Sequence, residues 1–353
     1  MERFEIDSFG SNDNIYLIPP YIENKENILK GWKEQDLSGH VFICSSGTTS
    51  QGEIKTYALS KRALLANASS VNQFLNIGSK KRWLASLPFY HVGGLSIFAR
   101  SYLLNSEPVV LKEKWKDEDC QIDVNYLSVV PTQLYRIVKK SLRPPSSHEG
   151  IFVGGDFLAT ELRNQAIDLG WKVIATYGMT EVCSQLASSF VDKSFDGFLD
   201  ILPIHTVSGG QVQSKSMFTS CMIFNSEGVR IEKASRRFIL PDKIELSEDG
   251  LRLKPLGRND GFFKYKGRLF SKFQILDQIQ SFLIQENALE DAQVLLERDP
   301  ELGERPILYV SKDNLKKTME DHVAGSKVLK LLDLEVRKVD NVTSHSIGKI
   351  KNF

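Results

Sequence analysis

Short apolar runs recur along the first half of the chain, each closed by a turn and followed by apolar residues at helical spacing. The runs at 41–43, 83–87, 108–111, 126–130, 151–153 and 173–176 read as buried strands, two of them ended by Pro88 and Pro131. The segments 60–75, 92–104, 132–138 and the stretch from about 160 onward read as helices, with Ser60 and Thr132 as N-caps. Strand, turn and helix in repetition predict an α/β domain of mostly parallel strands flanked by helices. In such sheets ligands bind outside the carboxyl ends of the strands. The turns at 44–55, 88–94, 131–132, 154–156 and 177–181 all fall there.

The rest of the chain reads differently. Residues 1–40 are mixed and polar, broken by Pro19-Pro20, and predict little organisation. Past about 190 the runs shorten and alternate, as in 216–223, predicting a small, more antiparallel sheet. Gly257-Arg258-Asn259-Asp260-Gly261 is a polar, turn-rich break that divides the chain into 1–257 and 258–353. Beyond it, helices near 274–285 and 313–332 with strands near 293–296 and 307–310 predict a small α+β domain.

Composition narrows the class without choosing a function. At 353 residues the chain can build a large core and two domains. Its 41% hydrophobic and 25% charged content is ordinary for a globular protein. A net charge of +1 gives no reason to expect a nucleic-acid or anionic-membrane surface. Cys44, Cys120, Cys183 and Cys221 lie too far apart to suggest a metal-ligand spacing or a disulfide framework. The charged start, Met1-Glu2-Arg3-Phe4-Glu5-Ile6-Asp7, lacks a signal core, and no run approaches a membrane span, so the expectation is a cytoplasmic protein.

Candidate chemistry begins at Ser45-Ser46-Gly47-Thr48-Thr49, followed by Gly52 and Lys55. Small residues let backbone N–H groups approach a polyanion, and hydroxyls and an ammonium add donors, so phosphate is the natural guest. A solvated turn has the same composition, and no Gly-Lys-Ser/Thr closes the stretch as in the common nucleotide loop. Tyr177-Gly178-Met179-Thr180-Glu181 ends a buried strand. Its tyrosine could stack on a purine, its threonine reach a phosphate and its carboxylate hold Mg²⁺, although a helix-starting glutamate also fits there. Asp242 could accept ribose hydroxyls or sit in a turn, Arg258 could donate to the same sugar or face solvent, and Lys349 lies near the C-terminus, where lysines are usually solvated.

Taken together and in order, these pieces resemble the adenylate-forming superfamily of acyl- and aryl-CoA ligases, luciferases and peptide-synthetase adenylation domains. The resemblance implies a phosphate loop at 45–55, an adenine-side turn at Gly154-Gly155, and an adenine- and Mg²⁺-binding signature at 177–181. It further implies a ribose carboxylate at Asp242, a ribose arginine at Arg258, a hinge at Asp260, and a catalytic lysine at Lys349 in a small mobile domain. Leu87-Pro88-Phe89-Tyr90-His91-Val92-Gly93-Gly94-Leu95, Val129-Val130-Pro131-Thr132-Gln133-Leu134 and the Cys183-Ser184-Gln185 tail are similar to the o-succinylbenzoate–CoA ligase branch, which serves menaquinone synthesis. Within that branch His91, Gly93, Pro131, Thr132, Ser184 and Gln185 would contact the acid.

The implied activity is an acid–thiol ligase using ATP, Mg²⁺ and CoA on an aromatic carboxylic acid. Lys349, Thr180 and Glu181 would stabilise charge during adenylation, and His91 would position the acid. Three departures separate the chain from the family pattern: a shortened N-terminal region, Ser50-Gln51-Gly52-Glu53-Ile54 before the lysine, and Tyr265-Lys266-Gly267-Arg268-Leu269-Phe270 after the hinge. The last bears on the thioester-forming half-reaction. A ligase for another acid and a degenerate adenylate-binding protein remain as alternatives, and oligomeric state is left open.

Overall fold

The structure, a computed structural model, describes residues 4–22, 24–48, 54–191, 195–225, 228–234, 237–258, 262–265, 268–299, 303–340 and 342. Two sheets with helices between them form the body of the molecule. The larger sheet has nine strands. Trp83–Ala85, Val109–Val110, Tyr126–Val129, Gly150–Val153 and Val173–Met179 form its parallel half. From Val173–Met179 the order continues antiparallel through Ser184–Ser188, Leu199–Ile201, Arg252–Arg258 and Asp242–Leu246. The fold is α/β as expected, but the parallel character stops halfway across the sheet.

The smaller five-stranded sheet holds Ile15–Leu17, His40–Thr48, Ile54–Ser60, Ser220–Asn225 and Gly228–Lys233. The small antiparallel sheet expected past residue 190 is formed by His205–Ser208, Gln211–Ser214 and Arg237–Ile239, whereas Ser220–Asn225 lies antiparallel between Ile54–Ser60 and Gly228–Lys233 in this five-stranded sheet. Residues 1–40, for which little organisation was expected, complete the same sheet. Trp32 is fully buried, donates to Thr56 Oγ1 at 2.9 Å and stacks on Tyr16. Lys61, also buried, is satisfied by the carbonyl oxygens of Ser8 and Ser11 at 2.6 and 3.0 Å, which ties the N-terminal turn down.

Helices Lys61–Phe74 and Val92–Leu103 lie between the sheets. Ser60 caps the first, its hydroxyl accepting from Ala63 N–H at 3.1 Å. The second is buried continuously from Gly94 to Ser101, as a helix covered on both faces must be. Its Leu95, Phe98 and Ala99 join the core of the small sheet, while Ile97 packs against Trp83, Tyr126 and Phe152 of the large one.

On the far face sit Pro131–Lys139 and Thr160–Asp168. Thr132 does not cap the former: Pro131 takes the first helical position and Val130 the cap, because a proline whose missing N–H costs nothing there already fixes the start. Beyond residue 258 the chain changes to a separate five-stranded sheet, built from Phe262–Tyr265, Arg268–Ser271, Ala292–Asp299, Gly303–Val310 and Glu335–Lys338. The expected helix over 313–332 is two helices, Asp313–Gly325 and Lys327–Leu331, because Ser326 adopts an extended conformation and caps the second. Helix Lys272–Gln285 docks on Thr160–Asp168 through Ile284, with Asp277 accepting from Thr160 N–H at 3.2 Å.

Leu127, fully buried on a central parallel strand, tests this packing. Leu127→Ala should cost about 2–5 kcal/mol in urea unfolding, the range for emptying a tightly packed core position. A loss under 1 kcal/mol would mean the core there is loose.

Candidate active site

Adjacent parallel strands place four of the predicted turns side by side at their carboxyl ends. Val129 pairs with Val153 and Val153 with Ala175, so Pro131-Thr132, Gly154-Gly155 and Thr176-Tyr177 are neighbours. The 88–91 turn follows the adjoining strand, with His91 N–H donating to Pro88 O at 3.1 Å. Three of the glycines are sterically required. A Cβ at Gly154 would stand 2.2 Å from Thr176 Oγ1, and Gly155 has φ +83°. A Cβ on Gly178 would lie 1.8 Å from Ser184 O. Gly93, by contrast, has room for a side chain.

The signature continues the strand through Met179 instead of leaving it at Tyr177; Thr180, Glu181 and Val182 then form one short 3₁₀ turn. Tyr177 does not stand alone: its hydroxyl donates to Asp242 Oδ2 at 2.6 Å. Asp242 and Arg258 are cross-strand partners in the antiparallel half, so the two candidate ribose residues share one position of the sheet. Glu181 accepts at Oε1 from Tyr57 O–H at 2.7 Å, and its carbonyl accepts from Phe218 N–H at 3.0 Å.

The Ser/Thr/Gly stretch is not a free loop over its whole length. The strand His40–Thr48 runs through Ser45, Ser46 and Gly47 and returns as Ile54–Ser60, with an irregularity between Cys44 and Thr48. Lys55 is therefore a strand residue at the start of the return arm, opposite Ile223. Thr49, Asp260 and Lys349 lie outside the described residues, as do the side chains of Ser46, Thr48 and Arg258.

The acid-side residues divide into two groups. His91 interacts with Tyr21 O–H at 3.3 Å, a residue of the N-terminal segment. Ser184 and Gln185 are buried, and the turn they follow is strained, with φ of 60° at Cys183 and 131° at Ser184. Both polar atoms of the Gln185 amide are engaged: Oε1 accepts from Arg100 Nη2 at 2.6 Å and Nε2 donates to Ser188 Oγ at 2.8 Å. Arg100 is only 2% exposed, lies over the rings of Trp83 and Phe152, and pairs with no carboxylate among the described residues. Burial pushes its guanidinium down to about 9, which still leaves it charged at neutral pH.

Sequence reasoning missed Tyr57, Asn67 and Arg100. Asn67 Nδ2 donates to the carbonyls of Val182 and Gln185 at 3.1 and 2.7 Å and braces the strained turn. A polar residue inside an apolar helical stripe was the available signal for Asn67 and Arg100; Tyr57 reads as ordinary strand core. Burial pushes the Cys44 and Cys183 thiols up to about 12, so neither offers a thiolate.

No cluster of three or more His, Cys, Asp or Glu side chains suited to a metal occurs among the described residues. A single carboxylate, Glu181, fits an ion carried largely by substrate phosphates, which is how Mg²⁺ is commonly held. Among the described residues no helix is long and apolar enough to cross a membrane.

Residues 29–203 match the family model described as AMP-binding enzyme. A 2-succinylbenzoate–CoA ligase of Staphylococcus epidermidis is 25% identical over 92% of this chain and 73% of its own length. That of Escherichia coli K12 is 29% identical, over 48% of this chain and 35% of its own length. The chain thus spans about three quarters of the first relative but only about a third of the second. The o-succinylbenzoate CoA synthetase (MenE) of Bacillus subtilis, solved with ATP and magnesium, superposes with a TM-score of 0.71 at 20% identity, over 98% of this chain and 79% of that one. The chain resembles the adenylate-forming superfamily of AMP-binding enzymes. Within it, the resemblance is to the 2-succinylbenzoate–CoA ligases in particular.

Two outcomes follow from this geometry. If this edge receives the nucleotide, Gly154→Ala should lower AMP affinity by about tenfold or more in calorimetric titration, since the edge must move to admit a methyl group; unchanged affinity would place the nucleotide elsewhere. Burial holds His205 neutral, down to about 4, with Gln185 O as its partner at 2.9 Å. The unfolded chain then binds the extra proton, so this contribution to stability is complete above pH 6.5 and is lost as pH falls from 6.5 toward 4. His205→Gln should flatten the urea-measured stability profile over that window.

Proposed function

We propose that the protein is an ATP-dependent acid–CoA ligase acting on 2-succinylbenzoate, the acid named for its relatives. The observation carrying the reading is the convergence at one sheet end of a side-chain-free edge at Gly154-Gly155, the Tyr177–Asp242 pair and the Tyr57-held Glu181. In the first half-reaction a carboxylate oxygen of the acid bonds to the α-phosphorus of ATP as the bond to the bridging oxygen breaks, releasing pyrophosphate. A carboxylate nucleophile needs no base. The residues instead meet charge: Lys55 and the 45–49 segment at the phosphates, Thr180 beside them, Asp242 and Arg258 at the ribose. Mg²⁺, when bound through Glu181, neutralises phosphate charge. The sulfur of CoA, its proton lost to solvent, then bonds to the acyl carbon as that carbon's bond to the phosphate oxygen breaks, and AMP departs.

Lys349 supplies a further positive charge in the first step, and rotation about Asp260 removes it for the second. Arg100 favours an acid bearing a second negative group. It is a buried cation with no carboxylate to offset it among the described residues, joined through Gln185 to the turn beside the acid, and 2-succinylbenzoate carries two carboxylates.

Pyrophosphate exchange into ATP with 2-succinylbenzoate, benzoate and a medium-chain fatty acid tests the reading. Exchange with the first acid alone, and thioester once CoA is added, is expected; exchange with only a mono-acid would move the chain to another ligase, and none at all to an adenylate binder. Arg100→Met should raise KM for the dicarboxylate by about tenfold or more while leaving ATP KM unchanged, as loss of a charge interaction at the acid alone requires.

A further inference from the structure

Strand Ile54–Ser60 carries Lys55 and Tyr57, two residues apart and so on one face. Their cross-strand partners are Ile223 and Cys221. Tyr57 is 3% exposed, and the Phe218 ring packs edge-on against it at 5.5 Å. The Phe218 N–H meanwhile holds the Glu181 carbonyl, so residue 218 braces both ends of the Tyr57–Glu181 contact. The Tyr57–Glu181 hydrogen bond ties the return arm of the phosphate hairpin, in the small sheet, to the 177–181 signature, in the large one.

We propose that Tyr57 is a positioning residue that fixes the Glu181 carboxylate, and with it the spacing between Lys55 and Glu181 across the two sheets. The proposal rests on the ligase reading, in which these two residues serve the phosphates and the divalent ion. A charge-assisted donor on one carboxylate oxygen restricts how the group can turn, so an ion meeting it pays less to order it. Nothing in the hydrophobic pattern demands a hydroxyl here, and a phenylalanine would fill the same volume.

Tyr57→Phe removes only that oxygen. Calorimetric titration of ATP with and without Mg²⁺, together with Mn²⁺ electron paramagnetic resonance on the ATP complex, reads ion placement without turnover. We expect metal-free ATP affinity to be unchanged, Mg²⁺-dependent affinity to fall several-fold, and the Mg²⁺ concentration for half-maximal exchange to rise by a similar factor. Glu181→Gln should give the same Mg²⁺ phenotype, and the double variant should be no worse than Glu181→Gln alone. Equal Mg²⁺ dependence in Tyr57→Phe and wild type, or fully additive effects in the double variant, would overturn the proposal. Wild-type protein that binds ATP without any Mg²⁺ dependence would overturn the ligase reading itself, which separates the two failures.

Discussion

Close packing of glycines along strand Val173–Met179 is the constraint on which the site depends. On one side Gly154 meets Thr176 with no room for a Cβ, and on the other Gly178 lies against the carbonyl of Ser184. These close approaches bring the ends of three strands within reach of a single small molecule. Beside Gly178 the chain passes through the positive-φ turn at Cys183-Ser184, and Asn67 bonds both carbonyls flanking that turn. A rigid edge of this kind suits preorganised charge stabilisation, which needs donors fixed before the reaction begins.

The second feature is that the site draws on both sheets. Helix Val92–Leu103 separates them and begins at His91, so the layer that buries the core also sets one wall of the candidate acid pocket. From the small sheet come Lys55 and Tyr57; from the large one come Glu181, Tyr177 and Asp242. Buried polar groups bridge the layers, with Arg100 reaching from the helix to Gln185 of the large sheet. In a low-dielectric interior such contacts are strong when satisfied and costly when broken, so they couple packing to the chemistry.

Much of this was legible in the sequence. The alternation of apolar runs with turns located the parallel strands, and the rule that ligands gather at their carboxyl ends selected the turns that the fold brings together. What escaped depends on long-range pairing. The 45–48 segment reads as a loop because its strand partner, reached through a hairpin, leaves no mark on local periodicity. Residues 1–40 read as disorganised because their order comes from Trp32 bonding to Thr56 and from Lys61 holding the Ser8 and Ser11 carbonyls. Tyr57 sits in apolar surroundings where a sequence pattern registers core and nothing more. The resemblance to adenylate-forming enzymes supplied roles for Asp242 and Arg258 that spacing alone did not; the sheet places them opposite each other.

The most direct measurement is a crystal structure of the protein with AMP bound. Adenine against Gly154-Gly155 and ribose hydroxyls on the Asp242 carboxylate, with Tyr177 shifted to share it, is the predicted result. AMP lodged away from the carboxyl ends of the parallel strands, or its ribose turned away from Asp242, would contradict the assignment of this edge as the nucleotide site.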